Sequence, residues 1–264
     1  MAIRRTNLSL LYPSFGSALV SVASVVFVII RAVTSTQKAK HSRVYRQMNL
    51  HYPLRFSRWY KLLPSLSLTF TTTKKELWLT FDDGPVSPET NWTLETLAKF
   101  NVPATFFVLT ERAIGERKLL REISAQGHEI ALHSWHHRRQ LFANHHQIFS
   151  EWIDSRNRIE NILGKKINRF RPPYAVPPLL CWSKLLNEGL KPVYLTWMVG
   201  DYVPDLDATG VVKQLRKKVE QGNILLLHDG GPAPHIFRTI LPDLLTQFTN
   251  DGWQFIIPTD QQLL

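Results

Sequence analysis

The chain has 264 residues, 44% hydrophobic and 20% charged, with 14 Phe, 8 Trp and 7 Tyr, which excludes intrinsic disorder and fits a globular protein. Its single cysteine, Cys181, excludes an intrachain disulfide and a thiolate metal cage, so any metal must sit on His and carboxylate ligands. A net charge of +11 suits nucleic acid, an anionic membrane or an acidic cell wall as partner, yet no nucleic-acid motif accompanies it and no nucleic acid is expected.

In chain order, Leu8 to Ile30 carries no charge, and Ala18 to Ile30 is apolar except for Ser21 and Ser24. As a helix this stretch would reach about 34 Å, enough for a bilayer core of about 30 Å. Arg4 and Arg5 precede it, and Pro13 and Gly16 argue against a buried core helix. An N-terminal transmembrane or signal-anchor helix over residues 1–31 is expected, uncleaved because no small-x-small site follows. The heavier Lys and Arg count on its C-terminal flank would, read alone, leave the rest of the chain in the cytosol. Residues 32–75 read as a basic linker without periodic pattern, carrying Lys38, Lys40, Arg43, Arg46, Arg55 and Arg58. No Asp or Glu occurs before Glu76.

From Glu76 to Leu264 the chain reads as one α/β domain. Strands are predicted at 77–81, 104–109, 129–132, 169–171, 192–197, 224–227 and 254–257. Helical spacing separates them at 89–100, 117–126, 147–163, 179–188, 208–221 and 237–250. Strands alternating with helices imply a parallel sheet, since parallel neighbours need crossover connections. In such a sheet or barrel the loops after the strands gather at one end, where sites form.

The residues after the strands carry the chemistry. The first strand runs into Asp82-Asp83-Gly84-Pro85. Adjacent carboxylates at a strand end point in different directions, so one can bind a metal while the other stays free as a base; alternatively the four residues form a simple turn. After the third strand come His133 and His137, four apart, which on a helical turn share a face. Two His and one Asp with an open fourth position is a catalytic zinc arrangement. His128, His136, His145 and His146 are nearby spares. The fourth strand ends in Arg171-Pro172-Pro173-Tyr174, where a stiff backbone N–H suits an oxyanion donor and the Arg suits a carboxylate. The sixth ends in Leu226-Leu227-His228-Asp229, where a partly desolvated His is placed to donate a proton, or forms a capping pair with Asp229.

In this order the motifs resemble the polysaccharide deacetylase family, with its NodB-homology domain, also called carbohydrate esterase family four. They are Thr80-Phe81-Asp82-Asp83-Gly84, His133-x-x-x-His137, Arg171-x-x-Tyr174 and Leu226-x-His228, spread over residues 76–260. The resemblance implies a distorted (β/α)7 barrel and a hydrolase with one divalent ion, zinc first, with cobalt, nickel or manganese admitted by the same ligands. It implies Asp83, His133 and His137 as metal ligands, Asp82 as base and His228 as acid. Arg171 would orient Asp82, the Tyr174 N–H would join an oxyanion hole, and Leu226 would line an acetate pocket. The substrate implied is an acetylated polysaccharide or oligosaccharide, such as peptidoglycan or a chitin-like chain, met outside the membrane at the cell envelope. The alternatives are an O-acetyl esterase on the same fold and a catalytically silent carbohydrate-binding protein.

One motif departs from the family. Its Asp-x-x-Asp-Trp signature is replaced by Trp197-Met198-Val199-Gly200-Asp201-Tyr202. Either Asp201-Tyr202 stands for Asp-Trp with Met198 at the first Asp position, or the register shifts and Asp201 itself supports the acid. Tyr202 or Trp197 would then supply the substrate-facing aromatic.

Overall fold

The computed structural model describes residues 54–55, 66–140 and 144–263. The anchor expected at 1–31 and most of the 32–75 linker lie outside them. Among the described residues no helix is long and apolar enough to cross a membrane. The strands are β1 (Leu54–Arg55), β2 (Glu76–Asp82), β3 (Thr105–Val108), β4 (Glu129–Leu132), β5 (Arg169–Phe170), β6 (Lys191–Pro192), β7 (Trp197–Met198), β8 (Ile224–His228) and β9 (Gln254–Phe255). The helices are α1 (Glu89–Phe100), α2 (Thr110–Gly115), α3 (Arg117–Ala125), α4 (His145–Leu163), α5 (Trp182–Asn187), α6 (Ala208–Lys218) and α7 (Pro234–Asn250).

The sheet is a curled parallel half-barrel of seven strands in the order β7-β8-β2-β3-β4-β5-β6. β1 adds an antiparallel edge on β7, and β9 pairs with the start of β2, off this path. Seven parallel strands were expected, but with different members. The run at 192–197 bends and gives two strands, while 254–257 contributes only β9. The bend lets one stretch of chain serve both ends of the sheet: Val193 N–H donates to Phe170 O of β5 and Thr196 N–H donates to Ile224 O of β8, each at 2.9 Å.

Residues 66–70 lie across this bend. Tyr194 N–H donates to Ser67 O at 2.8 Å, the Thr196 hydroxyl to Leu68 O at 2.6 Å, and Phe70 N–H to Gly222 O at 2.9 Å. Leu66, Leu68 and Phe70 are buried. The packed chain therefore begins ahead of Glu76, and the end of the presumed linker is part of it. Its short apolar alternation, Leu66, Leu68, Phe70, is the signal that the surrounding polar residues obscured.

β2 is buried along its whole length, which explains a near-continuous apolar run rather than an alternating one. Its odd residues face helices: Phe81 stacks on Phe106 at 5.0 Å and meets Phe237 of α7 edge-on at 6.0 Å. On the other face Trp78 packs with Phe70, Phe107, Ala131, Val193 and Ile224, and its indole N–H donates to Thr105 Oγ1 at 2.8 Å. That face ends at Asp82. α2 was not expected; six residues carry too little periodicity to show. α4 starts where the Asn144 side chain accepts from His146 and Gln147 N–H, and stops at Gly164, whose φ is 67°. α7 begins at Pro234, three residues earlier than expected, because proline suits a first helical position.

Candidate active site and metal centre

The site sits where β2, β4, β5 and β8 end. Asp82 closes β2 with its side chain 4% exposed, and Arg171 Nη1 donates to its Oδ1 at 2.7 Å. Arg171 is itself buried and fixed on four further sides. It donates to Thr80 Oγ1 (2.9 Å), Val193 O (3.1 Å) and Tyr194 O (2.6 Å), and its guanidinium lies 4.0 Å from the Phe107 ring centroid. Burial pulls the Arg171 pKa down, against the Asp82 carboxylate that pulls it up. One Asp82 oxygen is thus committed, and the other, Oδ2, faces His133 Nε2 at 3.7 Å.

Asp83 leaves the strand with φ of 77°, which turns its side chain away from that of Asp82. Its Oδ1 lies 3.6 Å from His133 Nε2 and 3.3 Å from His137 Nε2. The ligand atoms of these three residues all fall within 4.8 Å of one another. Two bonds of about 2.0–2.1 Å meeting at a tetrahedral angle put their ligand atoms roughly 3.4 Å apart. Asp83 Oδ1 is buried and has no hydrogen-bond partner, a cost that a cation between it and the imidazoles removes. The residues therefore fit a divalent ion.

The histidines are prepared for that role. His133 Nδ1 lies 2.7 Å from Arg171 O, and since a carbonyl only accepts, Nδ1 carries the proton and Nε2 offers its lone pair. His137 has φ of 55°, and its N–H donates to Ser134 Oγ at 3.2 Å. The pair therefore meets through a left-handed bend at Ser134 and His137, not along a helix as the spacing suggested. Burial pushes the His137 pKa down to about 4, so its imidazole is neutral at pH 7. Burial works to raise the Asp83 pKa, but His137, His133, His228 and Arg112 together lower it.

His228 ends β8 directly opposite Asp82 on the neighbouring strand, on the same face of the sheet. Asp201 embraces it: Oδ1 lies 3.0 Å from Nδ1, and Oδ2 accepts the His228 backbone N–H at 2.6 Å. Of the two registers open for the altered motif, the geometry selects the one in which Asp201 supports His228. Asp229 does not cap it. Burial works to lower the His228 pKa, but the charge and hydrogen bond of Asp201 outweigh it and raise it to about 9. The Tyr202 ring stands edge-on to His228 at 5.2 Å.

Leu226 is buried on the face shared by Thr80, Asp82 and His228. Trp197 is not on that face. It pairs with Leu225, whereas Met198 pairs with Leu226, so strand alternation turns the indole to the other side. There it is buried, with its N–H on Asn223 Oδ1 at 2.8 Å, and it is no substrate-facing aromatic. Tyr174, 42% exposed and with φ of 58°, lays its ring against His137 at 4.5 Å. Of the spare histidines, His128 is a core residue accepting from Ala104 N–H, and His136 pairs with Glu111 at 2.6 Å. His145 and His146 open α4.

Two supporting roles, those of Arg112 and Asp229, escaped the sequence reading. Arg112 Nη1 donates to Asp83 O at 2.8 Å and Gly230 O at 3.2 Å, tying two strand-end turns together. Asp229 is buried and accepts from the Thr90 hydroxyl, and burial, stronger than that hydrogen bond, raises its pKa to about 7. A Cβ on Gly84 would collide with the Asp229 carboxylate, which is why glycine follows the two aspartates. The only signal for Asp229 was its place beside His228, and for Arg112 there was none.

A parallel α/β half-barrel thus presents an Asp-His-His cluster that could hold a metal ion, beside a second carboxylate and a His paired with Asp201. The chain belongs to the polysaccharide deacetylase family, whose model matches residues 70–193. The chitooligosaccharide deacetylase of Sinorhizobium fredii is 32% identical over 165 residues, covering 62% of this chain and 76% of that protein. The peptidoglycan-N-acetylglucosamine deacetylase of Listeria monocytogenes is 29% identical over 188 residues, covering 70% of this chain but 38% of that protein. The chain thus spans well under half of that relative. The family 4 acetyl xylan esterase of Clostridium thermocellum, solved in complex with a cobalt ion, has a TM-score of 0.61 and 30% identity. The match covers 69% of this chain and 87% of that one.

Proposed function

We propose that this chain is a hydrolase that removes N-acetyl groups from a polysaccharide or oligosaccharide containing N-acetylglucosamine, using one divalent ion held by Asp83, His133 and His137. The observation that carries the reading is the buried, unpartnered Asp83 Oδ1 facing two imidazole Nε2 atoms at 3.3 and 3.6 Å, beside a carboxylate already oriented by Arg171. When bound, the cation polarises the acetyl carbonyl and acidifies water. Asp82, with Oδ1 pinned and Oδ2 toward the cluster, accepts the proton of the attacking water. The Tyr174 N–H serves as a further donor to the oxyanion, and Leu226 packs against the acetyl methyl. His228, protonated at neutral pH through Asp201, donates its proton to the departing amine, without which the amine leaves poorly. The products are acetate and a free amino sugar.

The test is acetate release from N-acetylglucosamine oligomers and peptidoglycan fragments with Zn²⁺ or Co²⁺. The expected result is turnover that chelation abolishes and that Asp82→Asn and His228→Ala each remove. Retained turnover in either variant overturns the roles given to them. The cobalt-bound acetyl xylan esterase supports a second reading, ester deacetylation, and faster release from acetylated xylan than from amide substrates would decide for it. The uncharged stretch 8–30 supports membrane anchoring with the domain at the outer surface of the cell, and protease accessibility of intact cells checks that placement.

A further inference from the structure

The domain carries a cluster of arginines outside the candidate active site. Between α3 and α4, next to the end of α2, lies a cavity of ≈ 230 Å³ lined by Arg117, Arg121, Arg158, Asn161, Ile114 and Ile162. Three arginines line it, and no Asp or Glu does. Two are held from the rear by backbone: Arg117 Nε donates to Ile114 O at 3.3 Å, and Arg121 Nε to Ile162 O at 3.2 Å. Spending Nε on a carbonyl fixes the plane of the guanidinium and leaves its four Nη hydrogens for another acceptor. Arg158 is held differently, its guanidinium carbon 5.1 Å from the centroid of the Trp135 ring, which orients it without using any donor.

None of the three has an acidic partner among the described residues. Residues 1–65 and 141–143 contain no Asp or Glu. This sets them apart from other arginines of the domain. Arg156 pairs with Glu188, Arg216 with Asp251 and Arg238 with Glu89. Residues 76–264 carry 21 Asp and Glu against 20 Lys and Arg, so acids are not scarce here. They are missing from this cavity in particular.

We propose that this cavity is a binding site for a multivalent oxyanion of the phosphoryl class, separate from the acetyl-hydrolysing centre. Forked donors from three arginines lining one cavity match a tetrahedral group bearing several charged oxygens better than a single carboxylate. Asn161 adds a neutral amide, and Ile114 and Ile162 complete the lining. Water occupies about 30 Å³ in the liquid, so the space exceeds one phosphate and accommodates a pyrophosphate or one repeat of a phosphate-bearing polymer. The proposal does not depend on the proposed reaction, since no residue of the cavity belongs to that machinery.

The test uses the full chain, inorganic pyrophosphate and a linear polyphosphate at about 50 mM salt, with hydrogen exchange mapping where protection appears. The basic residues before Glu76 also attract anions, so location rather than total binding is the readout. Protection over 114–125 and 153–163, lost about tenfold in affinity on Arg121→Gln or Arg158→Gln, supports the site. A second variant, Asn161→Glu, places a carboxylate among the arginines without removing any and should abolish the same protection. Pyrophosphate binding without polyphosphate binding assigns a free anion, and competition between them assigns a polymer. No protection in these segments with either anion, or protection unchanged in Arg158→Gln and Asn161→Glu, overturns the proposal.

Discussion

Asp201→Asn tests how the candidate site makes its acid. Asn keeps the size of the side chain and can still offer one oxygen to the His228 backbone N–H, now 2.6 Å away, but it cannot balance an imidazolium. Raising His228 from its ordinary 6.5 to about 9 corresponds to roughly 3 kcal/mol in favour of the charged ring, achieved although burial opposes it. With that carboxylate gone, burial is opposed only by the more distant Asp83 and Asp82, so the pKa should fall to or below its ordinary value. NMR titration of His228 in metal-free protein reads this directly. Stability carries the same signature. A folded pKa raised above the unfolded one stabilises fully below about pH 6.5, and that contribution is lost as pH climbs through about 9. Wild type should therefore lose stability relative to the variant across this window. At pH 7 the variant should release acetate from N-acetylglucosamine oligomers about 10²-fold more slowly, yet hydrolyse p-nitrophenyl acetate nearly as well, because that leaving group needs no proton. A His228 pKa unchanged in the variant, or equal losses on both substrates, refutes the reasoning.

Further outcomes follow from the same geometry. Asp83→Ala and His133→Ala should each weaken Co²⁺ binding by more than about tenfold, read from the visible spectrum of metal-stripped protein titrated with Co²⁺, because each removes one ligand. Gly84→Ala forces a Cβ onto the buried Asp229 carboxylate and should cost about 2 kcal/mol in denaturant unfolding, together with most of the activity. Trp197→Phe should leave KM unchanged while lowering stability by about 1 kcal/mol, since it removes one of two hydrogen bonds to Asn223 Oδ1 and leaves that from the Glu220 N–H; a raised KM instead would return the indole to the substrate. Phe81→Ala, which empties the contact between β2 and α7, should cost about 3–5 kcal/mol.

What the sequence disclosed, and what it hid, divides along a physical line. Asp82, Asp83, His133, His137 and His228 are recognisable because each lies at the end of a strand, and parallel strands bring such ends together whatever the intervening helices do. Their types and spacing carry the message without coordinates. Asp201, Arg112 and Asp229 act through partners 27, 118 and 139 residues away, and no local pattern fixes such distances. Asp201 was named in both registers, and choosing between the two roles required the hydrogen bonds to His228. Trp197 shows the opposite failure, because an aromatic beside a motif attracts a substrate role. Its pairing with Leu225 rather than Leu226 turns it to the wrong face, and a shift of one residue in register would reverse that. The bend at 193–196 was hidden for a related reason. An apolar run of that length reads as one strand, and only the separate partners Phe170 and Ile224 reveal that it serves two. The family model reaches residue 193 and so stops short of both Asp201 and His228. The acid half of the site therefore rests on the register of β8 against β2, which sets His228 opposite Asp82. A slip of one residue there would point His228 into the helices and away from the proposed leaving amine, so the pKa of His228 is the measurement on which the proposed acid turns.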